Sequence, residues 1–381
     1  MRVDEIYESP ILSLIDRIFE QRQQGRTILG LHIGEPDFDT PAGIRSAAAR
    51  AMDEGLTHYG PAQGMLDLRE AIAERLHRRH GIPATAADVV VMPGKLAIYA
   101  SLLATTDPGD EVLLPDPTYL FEQPVLLAGA RPVYFPLRDD FSFDPRAMEQ
   151  AVTPRSRVLI LTSPSNPTGR LLSRDEVQAA LKVARDHRLT VLSDETYESL
   201  VYEGPHVAPA SLPDGAGRVV TIGSFSKMFA MTGWRAGYVV APPELRSRLV
   251  KVVEHTLTCI PPFIQRACLW GLQNAEADVD RFREEFRRRR DRLLDLLQEI
   301  PGLHVLRPAG AFYMFPRYDL PISSVDLCNR ILDEERLAVV PGVSFGPQGE
   351  GHFRISFTAP MASLEDGARR LSHFFGNAAV P

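Results

Sequence analysis

Three polar clusters stand directly after three runs of apolar and β-branched residues, and their side chains are those of a reaction centre. Asn166-Pro167-Thr168-Gly169 follows the run from Arg157 to Thr162, Asp194 closes the run from Thr190 with Tyr197 soon after, and Ser224-Phe225-Ser226-Lys227 follows the run from Arg218 to Gly223. In an open parallel sheet, ligands bind outside the carboxyl ends of the strands. Taken singly, each cluster has a plainer reading. Asn-Pro-Thr-Gly is a good turn sequence, a strand-terminal aspartate commonly caps a helix, and a lysine after a strand is most often solvated. Their occurrence together favours chemistry.

A lysine, an aspartate, a tyrosine and an asparagine around one pocket suit pyridoxal phosphate. A lysine amine forms a Schiff base with an aldehyde, a carboxylate keeps a pyridine nitrogen protonated so that the ring accepts electrons, and hydroxyl and amide donors steady a phenolate oxygen. The phosphate needs hydroxyls, an arginine and helix N-terminal amides. Ser224, Ser226 and Arg235 lie close to Lys227 in sequence, and Gly94-Lys95-Leu96 opens a predicted helix straight after a predicted strand. Only four lysines occur, Lys95, Lys182, Lys227 and Lys251, among 42 basic residues, so a reaction that needs a lysine amine has few candidates. Other phosphate motifs fail. There is no GxxxxGK[ST], and Gly215-Ala216-Gly217 lacks the third glycine of GxGxxG and precedes a strand rather than a helix.

Elements able to hold these groups follow from the pattern. Strand-like runs at 88–92, 111–114, 131–135, 157–162, 190–194, 218–223 and 237–240 alternate with helical segments at 43–54, 65–79, 95–106, 118–129 and 173–187. This alternation predicts an α/β fold with a mostly parallel central sheet and flanking helices. Ser9-Pro10 with Ile11, Leu14, Ile15, Ile18 and Phe19 predicts a capped N-terminal helix ending at Gly25. From about residue 276 the character changes to a long helix through Phe282, Phe286, Leu293, Leu294 and Leu297, then strand-like runs at 304–306, 311–315, 337–340 and 352–356. The expected organisation is a large domain over residues 45–275 and a smaller α+β domain from residues 1–44 and 276–381. The run Arg287–Arg290 reads as a solvated helix face, given its acidic neighbours Glu284, Glu285 and Asp291.

The segment Ser224-Phe-Ser-Lys-Met-Phe-Ala-Met-Thr-Gly-Trp-Arg-Ala-Gly237 resembles the lysine signature of the class I/II aminotransferases, fold type I pyridoxal-phosphate enzymes. Further motifs agree in order along nearly the whole chain: Gly34-Glu-Pro-Asp-Phe38, His58-Tyr59-Gly60, Pro108-Gly-Asp-Glu-Val112, Pro117-Thr-Tyr119, Asn166-Pro-Thr-Gly169, Ser193-Asp-Glu-Thr-Tyr197, Pro308-Ala-Gly-Ala-Phe-Tyr313, and Pro341-Gly-Val-Ser-Phe-Gly346 before Arg354. The resemblance implies roles position by position. Lys227 matches the Schiff-base lysine and Asp194 the partner of the ring nitrogen. Tyr197 and Asn166 match the residues at the phenolate oxygen, and Tyr119 the aromatic ring stacked on the cofactor. Ser224, Ser226, Arg235 and the amides of Gly94, Lys95 and Leu96 match the phosphate cradle. Arg354 matches the clamp on the substrate α-carboxylate, with the Gly34 backbone and Asn166 beside it. Tyr59 matches a tyrosine that reaches the neighbouring subunit's phosphate, which implies a homodimer. The implied reaction passes the amino group of an α-amino acid to a 2-oxo acid in two half-reactions. Carbon–sulfur β-lyases and amino-acid cyclases or synthases of the same fold share these cofactor motifs and stay open as alternatives. His32, Thr196 and Thr258 are candidate side-chain pocket residues.

The 381 residues carry a formal net charge of −7, 44% hydrophobic and 24% charged. An acidic balance does not favour nucleic-acid binding, and no apolar stretch reaches the length of a membrane span. A secretory leader is not expected, because Asp16 and Arg17 interrupt the apolar run Ile11–Ile15. The three cysteines, Cys259, Cys268 and Cys328, are too few and too dispersed for a disulfide framework or a zinc site, so no metal and a cytoplasmic setting are expected. A regulator with an aminotransferase-like domain behind a DNA-binding module is disfavoured by the acidic charge and by a resemblance that begins at Ile28.

Overall fold

Strands buried on both faces read as near-continuous apolar runs, and the inner strands of the central sheet follow this pattern, with most of their polar residues gathered at their ends. The computed structural model describes residue 6 and residues 10–378. Seven strands form the main sheet: β1 (Val89–Val91), β2 (Glu111–Asp116), β3 (Arg131–Pro136), β4 (Ser156–Thr162), β5 (Thr190–Asp194), β6 (Val219–Ser224) and β7 (Gly237–Val240). Their order is β1-β7-β6-β5-β4-β2-β3, parallel except for β7, which runs antiparallel to both its neighbours. Alternate residues feed opposite layers. Val158, Ile160 and Leu192 pack with Ile98, Leu102 and Val253 on one face. Leu159, Leu161 and Val191 pack with Val177, Leu181 and Ala184 on the other. Each such leucine or isoleucine contributes about 1.5–3 kcal/mol by burial.

The expected helices appear with shifts of one or two residues at their ends, apart from the 118–129 segment. There only Glu122–Leu127 is helical. Residues before it are drawn into a loop, where the Thr118 amide donates to the Phe345 carbonyl at 2.8 Å. The N-terminal helix spans Pro10–Gln23, and its expected Ser9 cap lies outside the described residues.

The C-terminal part is built on the helix Glu276–Gln298, whose Phe282, Phe286, Leu293, Leu294 and Leu297 join Leu327, Ile331, Phe353, Ile355, Leu364 and Leu371 in one apolar cluster. A three-stranded antiparallel sheet crosses it, with Phe353–Ser356 between Tyr313–Met314 and Val340–Pro341. Phe353 and Ile355 face the cluster, so the period of two turns Arg354 to the other side. The expectation of a solvated run at Arg287–Arg290 is corrected. Arg289 and Arg290 are buried, while Arg287 and Arg288 pair with Glu284 and Glu285 at the surface. A helix turns 100° per residue, so four consecutive residues cannot share one face.

Candidate active site

The carboxyl ends of β4, β5 and β6, neighbours in the sheet, open onto one cavity of about 230 Å³. Thr162, Asp194 and Ser224 end these strands and line it, together with Asn166, Thr196, Tyr197, Ser226 and Lys227 from the loops that follow. Gly94 and Lys95 open the helix Gly94–Thr105 and close one side, with Ile98 one turn on. Tyr119, Thr232 and Arg235 complete the wall.

The local backbone explains these positions. Ser224 caps the single helical turn Phe225–Met228, its hydroxyl accepting from the Ser226 amide at 3.2 Å, and this turn presents Lys227. Arg235 sits in a left-handed conformation at φ 57°, which ends the short turn Thr232–Trp234. The helix Gly94–Thr105 has no side chain capping its N-terminus, so its first amides remain open to an anion. Gly237 allows this approach. A Cβ there would lie 2.7 Å from the Gly223 carbonyl oxygen and 3.3 Å from the Gly94 nitrogen.

The electrostatics are those of unpaired charges. Asp194 is buried and makes no ion pair among the described residues. Its carboxylate accepts from the Thr196 amide at 3.1 Å, and burial raises its pKa. Lys227 donates to the Gly34 carbonyl at 2.6 Å. Burial, joined by the positive charges of Arg235 and Arg354 and opposed by Glu35, pushes its pKa down to about 8. Tyr197 and Tyr313 share a hydrogen bond of 2.8 Å between their hydroxyls, and burial raises both pKa values. Burial also pushes Tyr119 up to about 12.

Arg354 does not itself line the cavity; it stands behind Asn166. One nitrogen donates to Asn166 Oδ1 at 3.0 Å, the other terminal nitrogen donates to the His32 carbonyl at 2.7 Å, and Nε is buried without a partner. The guanidinium lies 4.5 Å from the Tyr313 ring centroid and 4.9 Å from that of Phe345. It makes no ion pair with any described residue, so this is a buried cation without a counter-charge among them.

The remaining sequence candidates fall elsewhere. Gly34 packs so closely on Tyr313 that an added Cβ would lie 2.0 Å from its hydroxyl. Leu96 is not on the cavity wall and packs against the core on one sheet face. Tyr59 is 88% exposed and lies outside the cavity of its own chain. His32 is buried beside Arg354, and burial with the charges of Arg22 and Arg354 pushes its pKa down to about 4. Thr196 reaches the cavity; Thr258 does not. The sequence reading missed Thr162, Ile98 and Thr232 as wall residues and gave Tyr313 no role. The β4 end at Thr162 was a usable signal, since the same edge argument had already chosen Asp194.

A family description, aminotransferase class I and II, matches residues 26–371. The chain is 40% identical to the arginine–pyruvate transaminase of Pseudomonas aeruginosa, over 93% of this chain and 92% of that protein. It is 39% identical to an aspartate aminotransferase of Pyrococcus abyssi, over 94% of each. Among solved structures, the Thermus thermophilus aspartate aminotransferase with maleate superposes with a TM-score of 0.93 at 36% identity, over 98% of both chains. The chain belongs to the class I and II aminotransferase family. This aminotransferase is a pyridoxal phosphate-dependent transaminase of amino acids and 2-oxo acids.

The cavity suits that cofactor. A buried carboxylate without a cationic partner matches a protonated ring nitrogen. Hydroxyls of Ser224 and Ser226, the uncapped helix start at Gly94 and the Arg235 guanidinium offer one anion seat. The Thr162 hydroxyl is buried without a partner on the same wall. Among the described residues there is no cluster able to hold a metal ion, and no helix is long and apolar enough to cross a membrane.

Proposed function

We propose that this transaminase holds pyridoxal phosphate through Lys227, Asp194, Tyr197, Asn166, Tyr119, Ser224, Ser226, Arg235 and the Gly94–Leu96 amides, and binds substrate through Arg354. The observation that carries this reading is a pair of unmatched buried charges, the Asp194 carboxylate on the cavity wall and the Arg354 guanidinium that donates to Asn166 of the same wall. Unpaired buried charges are costly unless a ligand completes them. A protonated ring nitrogen answers the first, and a substrate α-carboxylate answers the second.

When bound, pyridoxal phosphate supplies an electrophilic carbon for the amino group and a ring that takes up an electron pair. Lys227 acts as the acid–base group. Its amine, depressed to about 8 by burial, is near enough to neutrality to take the α-proton and return it. Asp194 stays ionised by accepting from the cationic ring nitrogen. Tyr197 donates its hydroxyl, held in place by Tyr313. Arg354 offers parallel donors to a carboxylate, a fork that lysine cannot reproduce. Donor and acceptor share that carboxylate and the reacting carbon, so one clamp serves both half-reactions, and a ping-pong order follows.

The substrate class is α-amino acids with their 2-oxo acids. The relatives' names range over arginine with pyruvate, aspartate and aromatic amino acids. The side-chain preference is decided by a donor screen at a fixed oxo acid. The working unit is a homodimer in which Tyr59 reaches the partner's phosphate seat; its 88% exposure in the single chain supports this. We also place the protein in the cytoplasm and divide it into a large domain over 45–275 and a small one over 1–44 and 276–381. The separate apolar cluster under the Glu276–Gln298 helix supports this division.

The test uses Arg354→Ala and single half-reactions with an amino acid, its oxo acid and a matching amine without a carboxylate. Amino and oxo acid should lose efficiency by a similar factor, on the order of 10²-fold or more for a buried charged partner. The amine should change little. An amine that loses as much as the amino acid would exclude Arg354 as the clamp.

A further inference from the structure

The arginine run on the Glu276–Gln298 helix places Arg289 and Arg290 inside the molecule, and Arg289 lies against the segment from His32 to Thr40 that contacts Lys227 and Arg354. Arg289 donates to Asp37 Oδ1 at 2.8 Å, to the Thr358 carbonyl at 2.7 Å and to Glu285 at 2.8 Å. Its guanidinium lies 5.1 Å from the Phe38 ring centroid and 5.7 Å from that of Phe286. Phe38 in turn stacks on Phe282 at 4.5 Å, with the ring planes 7° apart.

The segment from His32 to Thr40 is a strap between two sets of contacts. Toward the C-terminal part, the His32 carbonyl accepts from Arg354, the Ile33 carbonyl accepts from the Thr358 hydroxyl at 3.3 Å, and Asp37 accepts from Arg289. Toward the Lys227 loop, the Gly34 carbonyl accepts from Lys227, the Glu35 carboxylate accepts from the Thr232 hydroxyl, and the Thr40 hydroxyl donates to the Ala230 carbonyl at 2.6 Å. Two carbonyls of one strap, those of His32 and Gly34, therefore face the proposed clamp and the proposed acid–base lysine, with the Ile33 carbonyl between them held by Thr358. Arg289 acts on this strap by two routes, directly at Asp37 and through Thr358 at Ile33.

We propose that Arg289 is a positioning residue for substrate recognition: it fixes the His32–Thr40 strap and so sets the carbonyls that orient Arg354 and Lys227. This rests on the reading of Arg354 and Lys227 given above. A guanidinium suits the task, because its planar fork reaches a carboxylate, a backbone carbonyl and two ring faces together. A lysine there would keep the charge and lose the fork. The strap's effect on Lys227 has a definite sign. A hydrogen bond donated by the ammonium favours the charged form. A displaced Gly34 carbonyl leaves more free amine at a given pH, and Lys227 becomes more reactive.

The variants are Arg289→Met, Arg289→Lys and Asp37→Asn. Asp37 is not in the core, so its substitution separates strap anchoring from core damage. The first readout needs no cofactor: the full-length cofactor-free protein is acetylated with limiting acetic anhydride at pH 7.5, and each lysine is followed by mass spectrometry. Lys227 should be labelled about threefold faster or more in Arg289→Met and Asp37→Asn, with Arg289→Lys intermediate. Lys182 and Lys251, distant controls, should be unchanged. The second readout is kinetic. KM for an amino acid should rise about tenfold, while the half-reaction of a matching amine stays within about twofold. A wild-type Lys227 labelling rate in Asp37→Asn and Arg289→Met, with only a lower melting temperature, would overturn the proposal and leave Arg289 structural. Equal losses for amine and amino acid would overturn it too. Should Arg354→Ala itself leave amino-acid KM unchanged, the clamp reading fails, and the Lys227 labelling contrast alone decides the strap.

Discussion

At the scale of single residues, the site is a problem of unmatched charge, and each charge makes a prediction. Lys95 and Lys227 are the two lysines of four that line the cavity, and Lys227 is the one held by the Gly34 carbonyl, so Lys227→Ala should abolish any borohydride-trappable attachment of the cofactor, whereas alanine at Lys95, Lys182 or Lys251 should not. Peptide mapping after reduction checks this. The lysine also sets a pH dependence in the cofactor-free protein. Its pKa falls from 10.5 unfolded to about 8 folded, so the fold disfavours the charged form. That penalty is full below pH 8, is relieved as pH climbs from about 8 to 10.5, and is absent above. Lys227→Met should therefore be more stable than wild type near pH 7, with the advantage fading across that window. Urea unfolding of both proteins at a series of pH values measures it, and a gap independent of pH would contradict the assignment. Asp194→Ala removes the carboxylate that keeps the ring nitrogen protonated. Turnover should fall about 10³-fold or more while the cofactor still attaches, as steady-state rates and the visible spectrum would show.

Elements explain why some of this could be read in the sequence and some could not. The strands covered on both faces were legible because that burial writes continuous runs such as Val89-Val90-Val91 and Val158-Leu159-Ile160-Leu161. The edge rule then led from strand ends to Asp194, Asn166 and Lys227. Two things were not legible. Residues 118–121 have helix-compatible composition, yet a tertiary hydrogen bond to Phe345 takes them into a loop, and local pattern carries no trace of a partner so far along the chain. The burial of Arg289 in the arginine run was hidden for the same reason, since its partner Asp37 lies 252 residues away. Glycines carry a subtler message at this scale. Gly237 lies where strand β7 passes the start of the Gly94–Thr105 helix, and two of the three atoms nearest a new Cβ are backbone oxygens, which cannot rotate aside. Gly237→Ala should push the strand ends apart at the phosphate seat. Stability should fall by about 1–3 kcal/mol, and cofactor affinity should fall with it. Urea unfolding and a cofactor titration check the two effects separately, and retained affinity despite lost stability would place the phosphate elsewhere.

Across the whole molecule, a buried ionic belt ties the Asp194–Tyr197 loop to a helix far back in the chain. Glu198 accepts from Arg75 at 2.8 Å and contacts His80 Nε2 at 2.9 Å, while Glu195 meets His206 Nε2 at 2.8 Å. The two histidine rings meet edge to face at 5.1 Å, and all three partners, Arg75, His80 and His206, come from outside the loop's own turn. Ion pairs this deep gain little net stability over apolar packing, but removing one partner leaves an uncompensated charge and costs about 3–5 kcal/mol. The belt also matters for the cofactor. Glu195 adjoins Asp194 and raises its pKa further, after burial, so a neutralised Glu195 helps Asp194 remain ionised. His206 supplies that neutralisation: burial opposes its charge, but Glu195 outweighs burial and the pKa is raised above 6.5. A raised folded pKa contributes stability that is complete below pH 6.5 and is lost as pH rises through the folded value. Wild type should therefore exceed His206→Gln by most at about pH 6 and by progressively less as pH rises beyond the folded pKa. Glutamine can still donate to Glu195, so the pH-independent share of the loss isolates packing from charge. Glu195→Gln,His206→Gln, with both charges gone, should recover much of the stability and lose the pH dependence. Chemical denaturation of wild type and these two variants from pH 5 to pH 9 decides the matter. A constant gap across that range would mean that the fold leaves the His206 pKa at its unfolded value, and that Asp194 keeps its charge without help from the belt.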